Sequence, residues 1–429
     1  MLPVEYSYAR LQRSSTYRAL GPAYRQREMV LRVFCELQPG QPVNLPQLSA
    51  AEWMPLLRWL DTSGLALYFL DRITELELYG LVPQEVLARL HNSLAENTAR
   101  TEAMISEASA IRRSFQSAGL SYAMLKGFSL WPVSVPKLEL RSQLDLDFLI
   151  TNSSAPTARK ILEWRGYRLR AISGNSWEFH TNQTGEMSLK DIYKATHRRK
   201  VELHLEPAGS NGDVLLGRVQ WCCFRGEPMP VLDPVDLFLG QGLHLFKHVC
   251  SAFSRTAHMI EFRRNVLARH HDDSFWKRVQ VLAETNPRTP VALGVVTLLI
   301  SNAMGEFAPE ALTSWTVDRL PEAIRLWVSQ YGPDAIYGDF PGSKLYLLLQ
   351  RELEAVGAQT PQPLRHALLP LFLPKAIGQK ASNEDLRTSV RRYRKQLLFS
   401  FSRLRFHVVE GLRYLRESLR WRRILRSMV

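Results

Sequence analysis

The chain has 429 residues, 45% hydrophobic and 22% charged, the balance of an ordinary folded protein with roughly two or three domains. Its four cysteines (Cys35, Cys222, Cys223, Cys250) include no Cys-x-x-Cys pair, which excludes a disulfide framework and a cysteine zinc site and fits a reducing cytoplasm. Net charge is +14 but unevenly spread: from Arg391 to Val429, eleven arginines and one lysine face only Glu410 and Glu417, so +10 sits in the tail and the rest is nearly balanced.

The N-terminus, MLPVEYSYARLQRSS, has no apolar core of the signal-peptide kind. No stretch reaches the roughly 18 apolar residues a membrane span needs, and Pro290 to Ile300 is the longest. The expectation is a protein neither exported by that route nor integral to a membrane. The first hundred residues predict helices. A loop is expected from Gly40 to Pro46. Ser49-Ala50-Ala51-Glu52 has capping-box spacing, and Trp53, Leu56, Leu57 and Leu60 follow at helical period. Asp61 to Gly64 should end that helix. A second is expected from Leu65 to Leu78, stopped by Gly80, and Pro83 opens a long one that runs to about Ala118. Its first half carries Val86, Leu87, Leu90 and Leu94 on one face, and its second half reads as polar. These stripes require no more than a helical core.

Chemistry begins at residue 120. Tyr122 to Leu125 predicts a short strand that runs into Lys126-Gly127. Glycine there permits a tight turn and close approach of a ligand to the backbone. A helix beginning at Phe128 to Trp131, limited by Pro132, would offer N–H groups to phosphate, and Lys126 would add a point charge. Arg141 is a further candidate phosphate partner. Asp145 and Asp147 interrupt the apolar run from Leu144 to Ile150. On a strand they share one face while Leu146 and Phe148 take the other. Two carboxylates about 7 Å apart repel unless a cation lies between them, and a hard divalent ion such as Mg²⁺ suits oxygen ligands. The plainer alternative is a solvated strand end. A helix from Pro156 to Arg165, strands at Tyr167 to Ala171 and Trp177 to His180, and a strand at Val201 to Leu205 follow. Arg198-Arg199-Lys200 precede that last strand, and its alternation puts Glu202 and His204 on one face.

In this order Leu125-Lys126-Gly127, Arg141, Asp145-Leu146-Asp147-Phe148-Leu149-Ile150, Gly166-Tyr167 and Val201-Glu202-Leu203-His204 make residues 120–206 resemble the uncharacterised bacterial nucleotidyltransferase family, within the DNA polymerase β-like nucleotidyltransferase superfamily. The resemblance implies a small mixed sheet with two catalytic carboxylates on one strand, Asp145 and Asp147, and a third on a neighbour, Glu202. It implies Mg²⁺ or Mn²⁺ on these three, and ATP or another nucleoside triphosphate as donor. Lys126, Gly127 and Arg141 would bind its phosphates. The superfamily usually follows its glycine with Ser or Gly, whereas Phe128 stands here. Read without the resemblance, Glu202 is an edge-strand residue paired with an arginine. His204 either supports the carboxylates or is structural.

From 207 to 385 the chain reads as helical. Asp233-Pro234 caps a helix running to about Val249 that carries His244, Lys247 and His248. Histidines at i, i+4 can bind metal, but packing is the plainer reading. The resembled family often has a similar His-x-x-Lys-His, which implies a structural or nucleotide-facing role. His270-His271-Asp272-Asp273 reads as a cap for a helix near Ser274 rather than a metal cluster. Later helices are expected at about 290–304, 308–330 and 342–356, with a turn at Asp339 to Gly342. In the tail, Leu397, Leu398, Phe401, Leu404, Val408, Leu412, Leu415 and Leu419 recur at helical spacing among arginines. Such a helix can dock or stay solvated, adsorb to an anionic membrane, or contact nucleic acid.

The expected fold is α+β: a small mixed-sheet nucleotidyltransferase core (119–206) flanked by an N-terminal helical region (1–118) and a C-terminal helical domain (207–385), with a basic amphipathic tail (386–429). The expected function is Mg²⁺-dependent transfer of a nucleoside monophosphate, AMP from ATP foremost, to a small-molecule, sugar or peptide acceptor with release of pyrophosphate. The protein would be cytoplasmic, and peripheral to the membrane if the tail adsorbs. The alternative is a non-catalytic scaffold on the same fold, attached through its tail to a membrane surface or a nucleic acid.

Overall fold

A computed structural model describes residues 21–35, 48–181, 191–195, 199–206, 215–359, 364–368 and 386–428. The N-terminal segment, the loop expected at Gly40 to Pro46, and Arg198 lie outside the described residues.

The chain begins with helices α1 (Pro22–Cys35), α2 (Ala50–Ser63), α3 (Ala66–Glu75) and α4 (Gln84–Ser117). The capping box at the head of α2 forms: the Ser49 N–H donates to Glu52 Oε2 at 2.9 Å. Gly64, at φ 77°, ends α2. Helix α3 stops at Glu75, short of the Leu78 expected. Glu77 turns to φ 57°, and the Leu78 N–H bonds back to the Ile73 carbonyl at 2.8 Å, so the stop precedes Gly80.

Helix α4 bridges two cores. Val86, Leu87 and Leu90 pack among the helices. The half read as polar buries Ile105, Ala108, Ile111 and Phe115 under the sheet. Two of its buried charged residues have partners there: Arg165, Tyr167 and Arg199 all reach Glu107, and Arg112 donates to the Pro228 carbonyl at 2.7 Å. Periodicity alone registered those charges as a solvent face.

The sheet holds β1 (Tyr122–Leu125), β2 (Leu146–Ile150), β3 (Tyr167–Ser173), β4 (Ser176–Thr181), β5 (Lys200–Leu205), β6 (Gln220–Phe224) and β7 (Glu227–Val231), with helix α5 (Ala155–Trp164) between β2 and β3. Its order is β3-β4-β5-β2-β1-β7-β6. Strand β2 runs antiparallel to β1 and parallel to β5. The hairpin β6–β7 corrects the helical reading of this stretch. Arg225 and Gly226 turn it with φ 49° and 81°, as a two-residue hairpin loop demands. Pro228 and Pro230 argue against a strand in sequence. Both precede the point where β7 meets β1, Met124 opposite Val231, so neither sits in that ladder.

One sheet face carries Phe148, Ile150, Val201, Leu203 and Phe179 against α4 and α5. The side chains of Asp147, Glu202 and His204 alternate to the other. After the sheet come α6 (Pro234–Val249), α7 (Thr256–Ala268), α8 (Asp273–Ala283), α9 (Arg288–Met304), α10 (Glu310–Thr313), α11 (Glu322–Tyr337), α12 (Tyr346–Ala355), α13 (Leu364–Leu368) and α14 (Leu386–Met428), and α6 and α7 meet the carboxylate face. Asp233 and Asp272 cap α6 and α8, accepting from the Val235 and Phe275 N–H groups at 2.9 Å. The single helix expected over 308–330 is divided into α10 and α11, the second opening after Pro321. Helices from both ends of the chain share one apolar core.

Tyr414 and Trp421 of α14 belong to that core, Trp421 Nε1 donating to Glu352 at 2.9 Å. The leucine stripe picked out in the tail is the opposite, exposed face: Leu397 is 70% and Phe401 67% exposed. No helix among the described residues is long and apolar enough to cross a membrane.

Candidate active site

The site is built at the start of β2, beside the point where the chain leaves β1 at Lys126-Gly127. Register sets Asp147 between Leu125 of β1 and Glu202 of β5. Glu202 in turn lies opposite Glu178 of β4. Asp145 stands immediately before β2, on the same side as Asp147.

Asp147 is buried, 2% exposed. Burial opposes its charge, but a hydrogen bond from His204 and the Lys126 ammonium outweigh that cost and bring its carboxyl down to about 2. Lys126 Nζ and His204 Nε2 both lie 2.8 Å from Oδ1. Burial and the charge of Asp147 instead push the Asp145 carboxyl up. Lys200 Nζ stands among three carboxylates, 3.5 Å from Asp145, 3.7 Å from Glu178 and 3.9 Å from Glu202. Ser176 Oγ donates to Glu202 Oε1. Four carboxylates thus stand against two ammonium groups, a surplus of oxygen donors that suits a divalent cation. Asp147, Glu202 and His204 each offer a donor atom, all within 4.8 Å of one another. Donors that are mostly carboxylate oxygens suit a divalent cation.

The turn before the site is tight. Lys126 and Gly127 both have left-handed φ, 49° and 40°. The helix expected from Phe128 is only a 3₁₀ turn, Gly127–Leu130, because Trp131 goes extended before Pro132. Phosphate recognition therefore has no α-helical N-terminus here. A Cβ on Gly127 would lie 2.2 Å from Gln143 Nε2. That same amide donates to the Asp145 carbonyl at 2.8 Å, so Gln143 seats Asp145 over the glycine. We expect Gly127→Ala to displace both and to lower kcat/KM by about 100-fold, the cost of a misplacement near 1 Å. Pyrophosphate release by the folded variant checks this, and an unchanged rate would show that Gln143 yields freely.

Arg141 does not project freely. Its Nε lies 3.0 Å from Glu261 Oε1, which also accepts from Tyr68 OH at 3.2 Å. Arg255 Nη2 donates to Ser142 Oγ at 3.2 Å. A cleft opens here, walled by Lys126, Gly127, Arg141, Asp145, Asp147 and Arg255 and, from α6, by His244 and His248. Glu202 and His204 adjoin it through Asp147. Lys247 is exposed and takes no part in that wall.

The profile of the uncharacterised nucleotidyltransferase family matches residues 49–298, more than half the chain. The chain belongs to this family. No curated protein matches it. The match begins at the Ser49 cap and ends within α9, so the family unit includes the helices that wall the cleft as well as the sheet. Membership supports nucleotidyl transfer as the general activity, and with it a nucleoside triphosphate donor and a divalent metal.

Sequence reasoning missed Lys200 as more than a strand flank. It also missed Ser176, Glu178, Gln143, Arg255, His258 and Glu261 as site neighbours. The alternation Trp177-Glu178-Phe179-His180 does place Glu178 on a polar face, a signal equal to that of Glu202. Arg255, His258 and Glu261 reach the site from a segment far away in sequence, which no local pattern records.

Proposed function

We propose that this nucleotidyltransferase-family protein transfers a nucleoside monophosphate, AMP from ATP foremost, to a hydroxyl, amine or phosphate of a small-molecule, sugar or peptide acceptor, releasing pyrophosphate. One observation carries the reading: Asp147 lies abreast of Glu202, with Asp145 two residues ahead, where four carboxylates share two ammonium groups. Asp145, Asp147 and Glu202 would hold Mg²⁺, which supplies neutralisation of the charge on the triphosphate. His204 and Lys126 keep Asp147 ionised for that purpose. Glu202 would either complete that metal site or take the acceptor's proton. Lys126, the Gly127 backbone, Arg141 and Arg255 line the path of the phosphates, and with the triphosphate bound Lys126 would turn from Asp147 to it. The mixed sheet, with the aspartate strand between an antiparallel and a parallel neighbour, supports membership of the DNA polymerase β-like superfamily.

Calorimetry with ATP, GTP, CTP and UTP in Mg²⁺, on the parent and on Asp145→Asn with Asp147→Asn, tests this. The parent should bind one triphosphate in a metal-dependent way and the double variant should not. A parent that binds none would sink the proposal.

A second property is supported by α14, whose exposed Leu397 and Phe401 lie one turn apart among arginines. That combination suits adsorption to an anionic membrane surface. Because Tyr414 and Trp421 are core residues, deleting the helix would expose the core. Charge reversal of apolarity, Leu397→Glu with Phe401→Glu, is the cleaner test. Phosphatidylserine vesicles should bind the parent and lose the variant, and equal binding of both would discard the idea.

A further inference from the structure

A second donor cluster lies on the opposite wall of the same cleft. His244 and His248 occupy one face of α6, and His258 approaches from α7. Each offers a ring nitrogen, and these three nitrogens lie within 4.8 Å of one another. His244 Nε2 and His248 Nε2 are 3.1 Å apart. The ring centroids are separated by 4.5, 5.5 and 5.3 Å, and the planes are inclined by 73°, 53° and 62°. Around a tetrahedral ion with metal–nitrogen bonds of about 2.05 Å, imidazole nitrogens stand about 3.3 Å apart and ring centroids about 5.2 Å apart. The observed rings are close to that arrangement.

Tautomer and burial agree with it. His248 Nδ1–H donates to the Phe253 carbonyl at 2.9 Å, which leaves the lone pair on Nε2, the atom turned toward His244. A backbone carbonyl on the far nitrogen is the usual orienting partner of a metal-bound histidine. His258 Nδ1 is buried with no hydrogen-bond partner among the described residues. Burial drives all three imidazoles to the neutral form that ligates: His244 is lowered to about 3, His248 is lowered, and His258 falls well below its ordinary value.

We propose that His244, His248 and His258 form a binding site for a first-row transition-metal ion, Zn²⁺ foremost, separate from the carboxylate site. The two donor sets differ in kind. Three neutral nitrogens select a borderline metal, whereas the carboxylates select a hard one. Nearby cations shape the fourth position. Glu261 neutralises Arg141 and Asp147 neutralises Lys126, which leaves Arg255 against the histidines. The three histidines face the cleft, so a fourth position would open to hydroxide or to a phosphate oxygen beside Arg255.

The test is titration of the full chain with Co²⁺ alone. Four-coordinate cobalt absorbs visible light far more strongly than the six-coordinate ion that oxygen ligands produce. The expected result is an intense band that saturates at one ion per chain, is erased by Zn²⁺, and persists in Asp145→Asn with Asp147→Asn. His258→Ala should weaken Co²⁺ binding by more than about 100-fold, beyond what the loss of an outer-shell partner costs. His248→Gln provides a second variant should His258→Ala unfold. A parent that shows only the pale six-coordinate spectrum, or a band that survives in a folded histidine variant, would overturn the proposal and leave His244 and His248 as a neutral hydrogen-bonded pair.

Discussion

Asp147→Asn is expected to lower kcat/KM for nucleotidyl transfer by at least about 1,000-fold, the upper range for losing one preorganised electrostatic group. The asparagine keeps the shape and loses the charge. Lys126 and His204, both 2.8 Å from the carboxylate, would then lack their anion, and Glu202 would be left beside a neutral amide oxygen instead of a charged ligand. A stability loss should accompany it. Despite the cost of burial, His204 and Lys126 hold the Asp147 carboxyl at about 2, below the ordinary 3.8. A depressed pKa stabilises the folded state above pH 3.8, and that stabilisation disappears as the pH falls through about 2. At neutral pH it is fully present, on the order of 2 kcal/mol. Urea unfolding at pH 7 in the presence of a chelator measures this, and pyrophosphate release by the folded variant measures the first effect. Transfer at the parent rate would remove Asp147 from the proposed mechanism.

Arg141→Ala should have the largest effect on stability, about 3–5 kcal/mol, because it strips the partner from a buried carboxylate. The Glu261 side chain is 2% exposed and, among the described residues, would keep the Tyr68 hydroxyl as its hydrogen-bond donor. Arg141 joins the segment before β2 to α7, and the Asn97 amide of α4 holds the Arg141 carbonyl at 3.2 Å. Loss of the guanidinium therefore loosens the approach to Asp145 as well. Denaturant unfolding of the variant reads the first effect, and triphosphate calorimetry the second. A loss under about 1 kcal/mol would mean that water reaches Glu261 and takes over the role of Arg141.

Much of the local structure was legible in the residues. The Ser49 box, the Asp233 and Asp272 caps, and strands β1, β2 and β5 fall where capping chemistry and two-residue alternation place them. The shared face of Asp145 and Asp147 follows from the same alternation. Each of these depends on groups within a few residues of one another, so a single stretch contains the whole cause.

The rest was decided by packing. Nothing in Val201 to Leu205 says that Glu202 will lie beside Asp147 rather than one residue off; the parallel register of β5 on β2 does that. Nothing in the α6 sequence announces His258, which a separate helix brings to His244 and His248. Arg141 looked free for phosphate until α7 supplied Glu261, and α14 showed its apolar stripe while Tyr414 and Trp421 quietly anchored the other side. By itself the sequence determined which side chains could carry charge on a common face. Only the tertiary structure decided which of them meet, because long-range register and helix docking are set by the burial of residues such as Phe148 and Trp421, not by the polar groups they bring together.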